Sequence, residues 1–246
     1  MLQVKNLQKA YRGKQVLHAI DFAIAQGEIV GLIGMSGSGK STIAKCIMGL
    51  DQPSGGDILW NDQSLLKWSA RSSWRQDIQM VFQDPRTSLN PRWTVRRSIA
   101  EPLRNYGTAA EARIVELLLE VGLDERYLNR YPDELSTGQC QRVCIARALA
   151  LKPKLLILDE PLSALDVSIQ AQMLVLLQQL HLSQQVSYLF ISHDIAVVSE
   201  LCERVLVIEK GTIVEDTTAI RLINEPKHAY TRKLLANTPT FPQFNH

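Results

Sequence analysis

One short segment, Gly34–Ser41, constrains the fold of this chain more than any other part of its sequence. It reads Gly-Met-Ser-Gly-Ser-Gly-Lys-Ser. It follows the continuous apolar run Ile29–Ile33, which predicts a strand covered on both faces, and it leads into a helix predicted from Lys40 to Met48. Apolar runs of strand length alternate with helical patterns along most of the chain. This alternation is typical of an α/β fold with a largely parallel sheet.

The segment Gly34–Ser41 matches the P-loop pattern, a phosphate-binding turn between a strand and a helix. Glycines let backbone N–H groups turn around a phosphate without a β-carbon in the way, and the following helix adds its positive N-terminal end. Lys40 would neutralise the β- and γ-phosphates of a nucleotide, and the Ser41 hydroxyl would coordinate Mg²⁺. A glycine-rich turn with a purely structural role is the weaker interpretation. The candidate nucleotide-binding residues of this segment are Gly34, Ser36, Gly37, Ser38, Gly39, Lys40, Ser41 and Thr42.

A second group of candidate residues, Asp159 and Glu160, directly follows the apolar run Leu155–Leu158. A buried parallel strand would deliver Asp159 to its carboxyl edge, where ligands collect in open α/β sheets. Asp159 fits a carboxylate that organises magnesium. Glu160 could accept a proton from an attacking water as general base. The alternative is that the two acids only cap the next helix.

The overall composition excludes several classes of protein. The 246 residues include 27 Lys plus Arg against 25 Asp plus Glu, and 46% are apolar, which together exclude a disordered chain. A net charge of +2 gives no reason to expect nucleic acid or an acidic membrane as a partner. No run approaches the roughly 18 to 20 apolar residues that span a bilayer. Met1–Lys5 lacks the basic start and apolar middle of a secretion signal, so we expect a cytosolic protein.

The cysteines are Cys46, Cys140, Cys144 and Cys202. Their spacing is neither of the CxxC type nor of a zinc type, and without an export signal they are expected to remain reduced. Cys140 and Cys144 would share one helix face, which leaves a metal site as an alternative. Two thiols without further ligands favour plain packing.

The order of the patterns predicts a single domain with a helical insertion. An antiparallel edge sheet is predicted from Val4–Leu7 and Val16–Ile24, which flank a turn at residues 12–14. From Pro85 to Leu151 the patterns are helical, and prolines 85, 91, 102 and 132 mark the breaks. We expect residues 1–84 and 152–236 to form a nucleotide-binding core with a β subdomain, residues 85–151 to form a helical subdomain, and residues 237–246 to be a loose tail. The other predicted elements are strands at Asp57–Trp60, Ile78–Phe82, Lys154–Asp159, Tyr188–Ser192, Val205–Ile208 and Thr212–Glu215, and helices at Ala109–Val121 and Ser168–Leu182.

The run Leu135-Ser136-Thr137-Gly138-Gln139, continued by Gln141-Arg142, gives the chain a family resemblance. With the motifs above, it resembles the nucleotide-binding subunits of ATP-binding-cassette (ABC) transporters over essentially the whole chain. The LSGGQ signature of that family usually has glycine where this chain has Thr137. The resemblance implies that Ser136, Gly138 and Gln139 contact the ATP of a partner subunit. Ser136 also precedes a helical run, so it can cap that helix at the same time.

Several further positions resemble functional positions of that family. Tyr11 resembles the aromatic residue that stacks on adenine, and Gln83 resembles the glutamine that contacts Mg²⁺ and links hydrolysis to the helical subdomain. Ser163–Asp166 resembles the loop that joins the two active sites of a dimer, although Leu162 replaces the common threonine before it. His193 resembles the switch histidine that holds the γ-phosphate and the attacking water. The resemblance implies that the catalytic residues are Gln83, Glu160 and His193 and that the Mg²⁺ ligands are Ser41, Gln83 and, through water, Asp159.

The resemblance also implies partners and a place in the cell. ATP binding would close a dimer of cassettes and hydrolysis would open it, so a second ABC ATPase subunit is required, and the subfamily favours a related heterodimer partner. Two transmembrane permease subunits would receive the motion near Gln83. An extracytoplasmic substrate-binding protein would act through the complex, and nucleic acid would not. The chain is therefore expected as a peripheral subunit on the cytoplasmic face of the inner (plasma) membrane.

Two finer patterns, Gln83–Pro85 with Ser88–Arg92 and His228–Thr231 with Leu234–Leu235, resemble the peptide/nickel group of ABC importers. A proline-bounded loop and an amphipathic terminal helix would explain the same residues structurally. Because the chain stops soon after that helix, we expect nickel or a metal chelate as cargo, ahead of di- or oligopeptides. One alternative is a soluble ABC ATPase of DNA repair or translation. Another is a P-loop kinase of small molecules, which would leave the signature, Gln83 and His193 without roles.

Overall fold

The computed structural model describes residues 1–67, 72–108 and 110–236. The strands are β1 (Leu2–Tyr11), β2 (Lys14–Ile24), β3 (Ile29–Ile33), β4 (Gly55–Trp60), β5 (Gln63–Ser64), β6 (Ile78–Val81), β7 (Leu155–Asp159), β8 (Ser187–Ser192), β9 (Arg204–Glu209) and β10 (Thr212–Thr218). The helices are α1 (Lys40–Ile47), α2 (Trp74–Asp77), α3 (Pro85–Ser88), α4 (Val95–Asn105), α5 (Glu111–Glu120), α6 (Thr137–Leu149), α7 (Val167–Gln184), α8 (Ile195–Leu201), α9 (Ala219–Asn224) and α10 (Ala229–Ala236). The predicted strands and helices are present, and apart from β3 they have shifted ends; Ala109 lies outside the described residues.

The contacts within the chain divide it into two compact units. The first unit is Met1–Ala70 with Tyr188–His246, and the second unit is Arg71–Ser187. The predicted loose tail, 237–246, lies outside the described residues, and the predicted subdomain bounds stay a prediction. In the part of the chain that the structure describes, each helix is too short or too polar to cross a bilayer.

An antiparallel sheet in the order β2-β1-β4-β5 belongs to the first unit. A tight turn joins β1 to β2 through Arg12 and Gly13, whose φ angles of 48° and 80° are both left-handed. Turns of this kind match the twist of the strands that they join. Ile20, Phe22 and Ile24 of β2 are buried and alternate with exposed residues, so one face of the sheet covers the core. The predicted antiparallel sheet is confirmed.

The first unit also contains strands in the order β10-β9-β3-β8, in which β3 runs parallel to both β8 and β9. All five residues of β3 are buried, as its apolar run predicts. Ile33 is the register partner of Ser192. The segments that leave β3 and β8 at their carboxyl ends therefore start side by side, and this register positions the candidate site.

The second unit combines a parallel strand pair with most of the helices. Val81 of β6 is the register partner of Leu158 of β7, so these two strands also end side by side. Helix α6 contacts α3, α4 and α5, and buried residues occupy most of its circumference. A helix that is apolar on all sides is expected at the centre of a packed unit. The predicted helical character of residues 85–151 is confirmed.

One predicted break is wrong. Pro102 lies inside α4, whereas the other three prolines of that set start short helices or lie in a loop. A proline in a helix interior removes one backbone hydrogen bond and costs about 3 kcal/mol. Burial of Ile99 and Leu103 on the same helix offsets this cost, because each buried side chain of that size contributes roughly 1.5–3 kcal/mol.

Candidate active site

The P-loop segment takes a conformation that needs its glycines. Gly37 has a φ angle of 78° and Gly39, at the N-cap of α1, has one of 112°, both in the region that only glycine adopts readily. A β-carbon on Gly34 would lie 2.3 Å from the carbonyl oxygen of Ile208. The first turn of α1 carries no acidic side chain. The turn is therefore tightly wound and its helix end is free to attract an anion.

Lys40 is 5% exposed and folds back over this turn. Its ammonium donates hydrogen bonds to the carbonyl oxygens of Gly34 at 2.7 Å and Met35 at 3.1 Å. The hydroxyl oxygen of Ser38 is buried and has no hydrogen-bond partner among the described residues. A buried cation that contacts carbonyl oxygens, beside an unsatisfied hydroxyl, fits a site that is completed by a phosphate group.

His193 follows β8, and the register of β3 with β8 brings it to the same edge as the P-loop. It is exposed. Its neighbours hold the backbone around it, because the N–H of Asp194 donates to the Ser192 hydroxyl at 3.0 Å and the Asp194 carboxylate caps α8. In the first unit the structure therefore brings together the candidate phosphate-binding residues and the candidate switch histidine.

Tyr11 ends β1 and presents a ring that is 37% exposed. Its hydroxyl donates to the Asp51 carboxylate, and the ammonium of Lys9 lies 4.6 Å from the ring centroid. Burial of the hydroxyl and the neighbouring Asp51 carboxylate raise the pKa of Tyr11 to about 12, so the phenol stays neutral. Asp51 is a residue that sequence reasoning missed, and no pattern marked it.

In the second unit the structure brings Gln83 and Glu160 into direct contact. The side-chain amide of Gln83 donates to a carboxylate oxygen of Glu160 at 3.0 Å. Asp159, the last residue of β7, is 5% exposed. The helix-capping alternative for the two acids is wrong, because the N-cap of α7 is Asp166, which accepts from the N–H of Ile169.

The signature segment forms the N-terminus of α6. Ser136 is the N-cap and makes a reciprocal capping box with Gln139, at 3.2 and 2.9 Å. The predicted N-cap is therefore confirmed. A β-carbon on Gly138 would lie 2.9 Å from the side chain of Ile169, so this glycine lets the first turns of α6 and α7 approach. Thr137 has no left-handed φ angle, so its position does not require the glycine that is usual in the family.

Arginine side chains tie the segment after Gln83 to the signature helix. Arg86 donates to the carbonyl of Leu135 at 3.0 Å, and Arg147 of α6 donates to the carbonyl of Ser88 at 2.7 Å. Sequence reasoning missed both contacts, since an isolated arginine carries no pattern. Their effect is to join Gln83, α3 and the start of α6 in one hydrogen-bonded frame.

Helix α7 holds the loop Ser163–Asp166. The side-chain amide of Gln170 donates to the carbonyls of Leu162 at 3.0 Å and Leu165 at 3.1 Å. Leu162, which replaces the usual threonine, is buried. Hydrogen bonds from the Ile169 N–H and the Ser168 hydroxyl lower the pKa of Asp166, so this cap stays charged at neutral pH.

The cysteines behave as packing residues. All four are free and buried. Burial raises the pKa of Cys46 to about 11 and that of Cys144 to about 12, which disfavours the thiolate that a metal requires. Among the described residues no group of three or more His, Cys, Asp or Glu side chains could hold a metal ion.

The sequence profile of the family described as ABC transporter matches residues 17–163. The chain is 46% identical over 249 aligned residues to the oligopeptide transport ATP-binding protein OppF of Haemophilus influenzae, and the match covers 96% of this chain and 75% of that protein. It is 46% identical over 239 residues to the glutathione import ATP-binding protein GsiA of Escherichia coli. That match covers 95% of this chain but 38% of GsiA.

Two solved structures share the fold over nearly the whole chain. The first is cbiO1 from Clostridium perfringens, part of the ABC transporter complex cbiONQ, with a TM-score of 0.82, 29% identity and coverage of 91% of this chain and 90% of that one. The second is the ATP-binding cassette MJ0796, as a dimer in a post-hydrolysis state bound to ADP and Pi. It has a TM-score of 0.80 and 31% identity, and the match covers 89% of this chain and 99% of that one. These likenesses confirm the predicted α/β fold class.

Proposed function

The chain belongs to the ABC transporter family, and on that premise we propose that it drives the import of short peptides as an ATP-hydrolysing subunit. Family membership makes it an ATPase coupled to transport, with ATP as its substrate. The hydrogen bond between Gln83 and Glu160 carries the catalytic part of the proposal. It joins Glu160, which would accept the proton of the attacking water, to Gln83, which would hold the Glu160 carboxylate in place.

The P-loop would hold the phosphates of ATP. Lys40 would exchange its two carbonyl partners for the β- and γ-phosphate oxygens, which are stronger acceptors because they are charged. The N–H groups of the turn and the Ser36, Ser38 and Thr42 hydroxyls would bind the remaining oxygens. Tyr11 would stack on adenine with the ring face opposite Lys9, while Asp51 fixes its hydroxyl.

The residues present also fit a magnesium ion. Ser41, Asp159 and Gln83 offer hydroxyl, carboxylate and amide oxygens, the ligand types that Mg²⁺ prefers. Such an ion is bound by few protein groups together with substrate phosphates. When bound, magnesium would neutralise charge on the phosphates.

Hydrolysis would depend on groups that follow the strands β6, β7 and β8. Glu160 would take the proton of the attacking water, and Gln83 would hold the Glu160 carboxylate in place. His193 would contact the γ-phosphate from the edge that it shares with the P-loop. Ser136, Gly138 and Gln139, at the N-terminal end of α6, would bind the ATP of the partner subunit.

The same proposal assigns partners and location. A second, related ABC ATPase would complete the two sites, two permease subunits would span the membrane, and a substrate-binding protein would deliver the cargo. The dimeric state of the MJ0796 cassette supports the pairing of two cassettes. This arrangement puts the chain on the cytoplasmic face of the inner membrane.

The named relatives support peptide as the cargo. OppF is an oligopeptide transport protein and GsiA imports glutathione, which is itself a short peptide. The nickel or metal-chelate cargo that the C-terminus led us to expect receives no specific support from them. Because one relative is a transport ATP-binding protein and the other an import ATP-binding protein, they also favour the importer over the non-transport ATPase and the small-molecule kinase.

Purification of the intact membrane complex tests this proposal. We expect permease subunits and a second ATPase to co-purify with the chain, and a short peptide with its binding protein to stimulate ATP hydrolysis. Nickel chelate, added in the same way, is the matched control. Stimulation by the nickel chelate alone would overturn the proposed cargo. ATP consumption that requires an added acceptor and leaves a phosphorylated product would overturn the transport function.

A further inference from the structure

A tyrosine from the C-terminal helix reaches the P-loop. The backbone N–H of Met35, the second residue of the loop, donates a hydrogen bond to the hydroxyl oxygen of Tyr230 at 2.9 Å, across 195 residues of sequence. This N–H is therefore held from outside the loop. Tyr230 has no part in the roles assigned above.

The start of α10 is fixed firmly enough to position that hydroxyl. The carboxylate of Glu215, a buried residue of β10, accepts from the Thr231 hydroxyl at 2.6 Å and from the N–H groups of Lys227 and His228, both at 3.1 Å. Thr231 is completely buried. The N–H of Tyr230 itself donates to a ring nitrogen of His228 at 3.2 Å. Tyr230 is thus fixed by its own N–H bond to His228 and by the anchored Thr231 that follows it.

The charge of Glu215 supports this anchoring at neutral pH. Burial alone would raise its pKa, but the hydrogen bonds from Thr231, Lys227 and His228 lower the pKa below its ordinary value. A charged acceptor makes stronger hydrogen bonds than a neutral one. The helix start therefore has a strong attachment to β10.

The loop and the start of α10 border the same cavity. A cavity of about 540 Å³ is lined by Met35–Ser38, by Glu209 at the end of β9 with the next residue Lys210, and by the start of α10. The first turn of the loop therefore has open space beside it, and a contact from α10 can restrain it there. The Met35–Tyr230 hydrogen bond is such a contact.

We propose that Tyr230 is a positioning residue of the nucleotide site, which holds the first turn of the P-loop in its phosphate-binding conformation before nucleotide arrives. The inference rests on the proposed ATP site. A loop that is ordered in advance does not lose conformational entropy on binding, so the hydroxyl strengthens nucleotide affinity. It does not touch the groups that act on the attacking water, so the rate at saturating ATP should stay unchanged.

The full-length chain with Tyr230→Phe tests the inference, because this change removes one hydroxyl and keeps the ring. We expect ADP to bind about 3- to 10-fold more weakly in a calorimetric titration, as for the loss of one neutral hydrogen bond. In the assembled transporter the KM for ATP should rise by a similar factor, with kcat unchanged. Tyr106→Phe is the matched control, since this tyrosine is exposed and lies in the second unit.

A double-mutant cycle separates positioning from general destabilisation. Glu215→Gln weakens the anchor of α10 and should also weaken ADP binding. In combination with Tyr230→Phe the two losses should be less than additive, because both act through one hydrogen bond. Unchanged ADP affinity in Tyr230→Phe, or a lower melting temperature with unchanged affinity, would overturn the inference. Lys40→Ala distinguishes a failure of this inference from a failure of the proposed ATP site. If that variant still binds ADP, the proposed ATP site itself is wrong.

Discussion

Replacement of Glu160 by glutamine tests the proposed base with little change in the shape of the site. The two side chains have the same length, and the amide oxygen of glutamine can still accept from Gln83, which now bonds to the carboxylate at 3.0 Å. The bond changes from charge-assisted to neutral, so its contribution to the free energy of unfolding falls by about 1 kcal/mol. The backbone at residue 160, with a φ angle of 46°, favours neither side chain over the other.

The expected effect on catalysis is much larger than the effect on stability. A positioned general base contributes roughly 10²- to 10⁴-fold to the rate, which corresponds to about 3–5 kcal/mol of activation free energy. Glu160 is not among the proposed phosphate-binding groups, so ATP affinity should be retained. The Glu160→Gln chain should therefore bind ATP and accumulate as a closed dimer.

Two measurements check this prediction. Phosphate release at saturating ATP gives kcat, and size-exclusion chromatography with ATP and Mg²⁺ gives the fraction of dimer. Glu225→Gln is the matched control, because Glu225 is exposed and has no assigned role. A fall in kcat of less than about tenfold, below the range for general-base catalysis, would refute the assignment of Glu160.

Three further variants address the P-loop, the signature, and the hydrogen bond that ties helix α3 to the signature. Lys40→Ala should abolish nucleotide binding or turnover because it removes the buried ammonium of the loop. ADP titration measures the loss of binding, and near-normal ATPase activity would contradict the assignment of the P-loop as the phosphate site. Ser136→Arg should impair the partner's site more than its own, and loss of the N-cap bond to Gln139 should lower the free energy of unfolding by about 1 kcal/mol. Mixed dimers with one variant subunit measure the difference, and equal loss in both sites would argue against a shared pocket. Arg86→Ala removes the bond to the Leu135 carbonyl and should lower kcat without changing ADP affinity, so wild-type kcat would show that hydrolysis does not depend on this link.

The elements of the fold could be predicted because their causes are local. The five buried residues of β3 form one continuous apolar run, and the glycines of the P-loop follow it directly. The capping box of Ser136 and Gln139 is likewise a pattern of four consecutive residues. Such features depend on neighbours in sequence, so they are visible before any tertiary contact is known.

The connections within the site could not be predicted in the same way. Tyr11 and Asp51 are separated by 40 residues, Arg86 and Leu135 by 49, and Met35 and Tyr230 by 195. Each connection is a single polar contact between elements, and hydrophobic periodicity carries no information about such contacts. Pro102 shows the same limit of sequence-based prediction. Proline disfavours a helix interior locally, but the tertiary packing of α4 overrides this preference.

The contacts of Gln83 explain how the base and the signature can act together within one subunit. Gln83 holds Glu160, and the next residue, Asp84, caps α3 by accepting from the N–H groups of Arg86 and Thr87. Those bonds lower the pKa of Asp84, so the cap keeps its charge at neutral pH. Helix α3 is bound to α6 through the carbonyls of Leu135 and Ser88. Because packed elements shift between discrete arrangements rather than deform continuously, a displacement of Gln83 on loss of the γ-phosphate would move the start of α6 with it. The nucleotide state at Glu160, the proposed base, would thereby reach the segment that we propose to contact the partner's ATP.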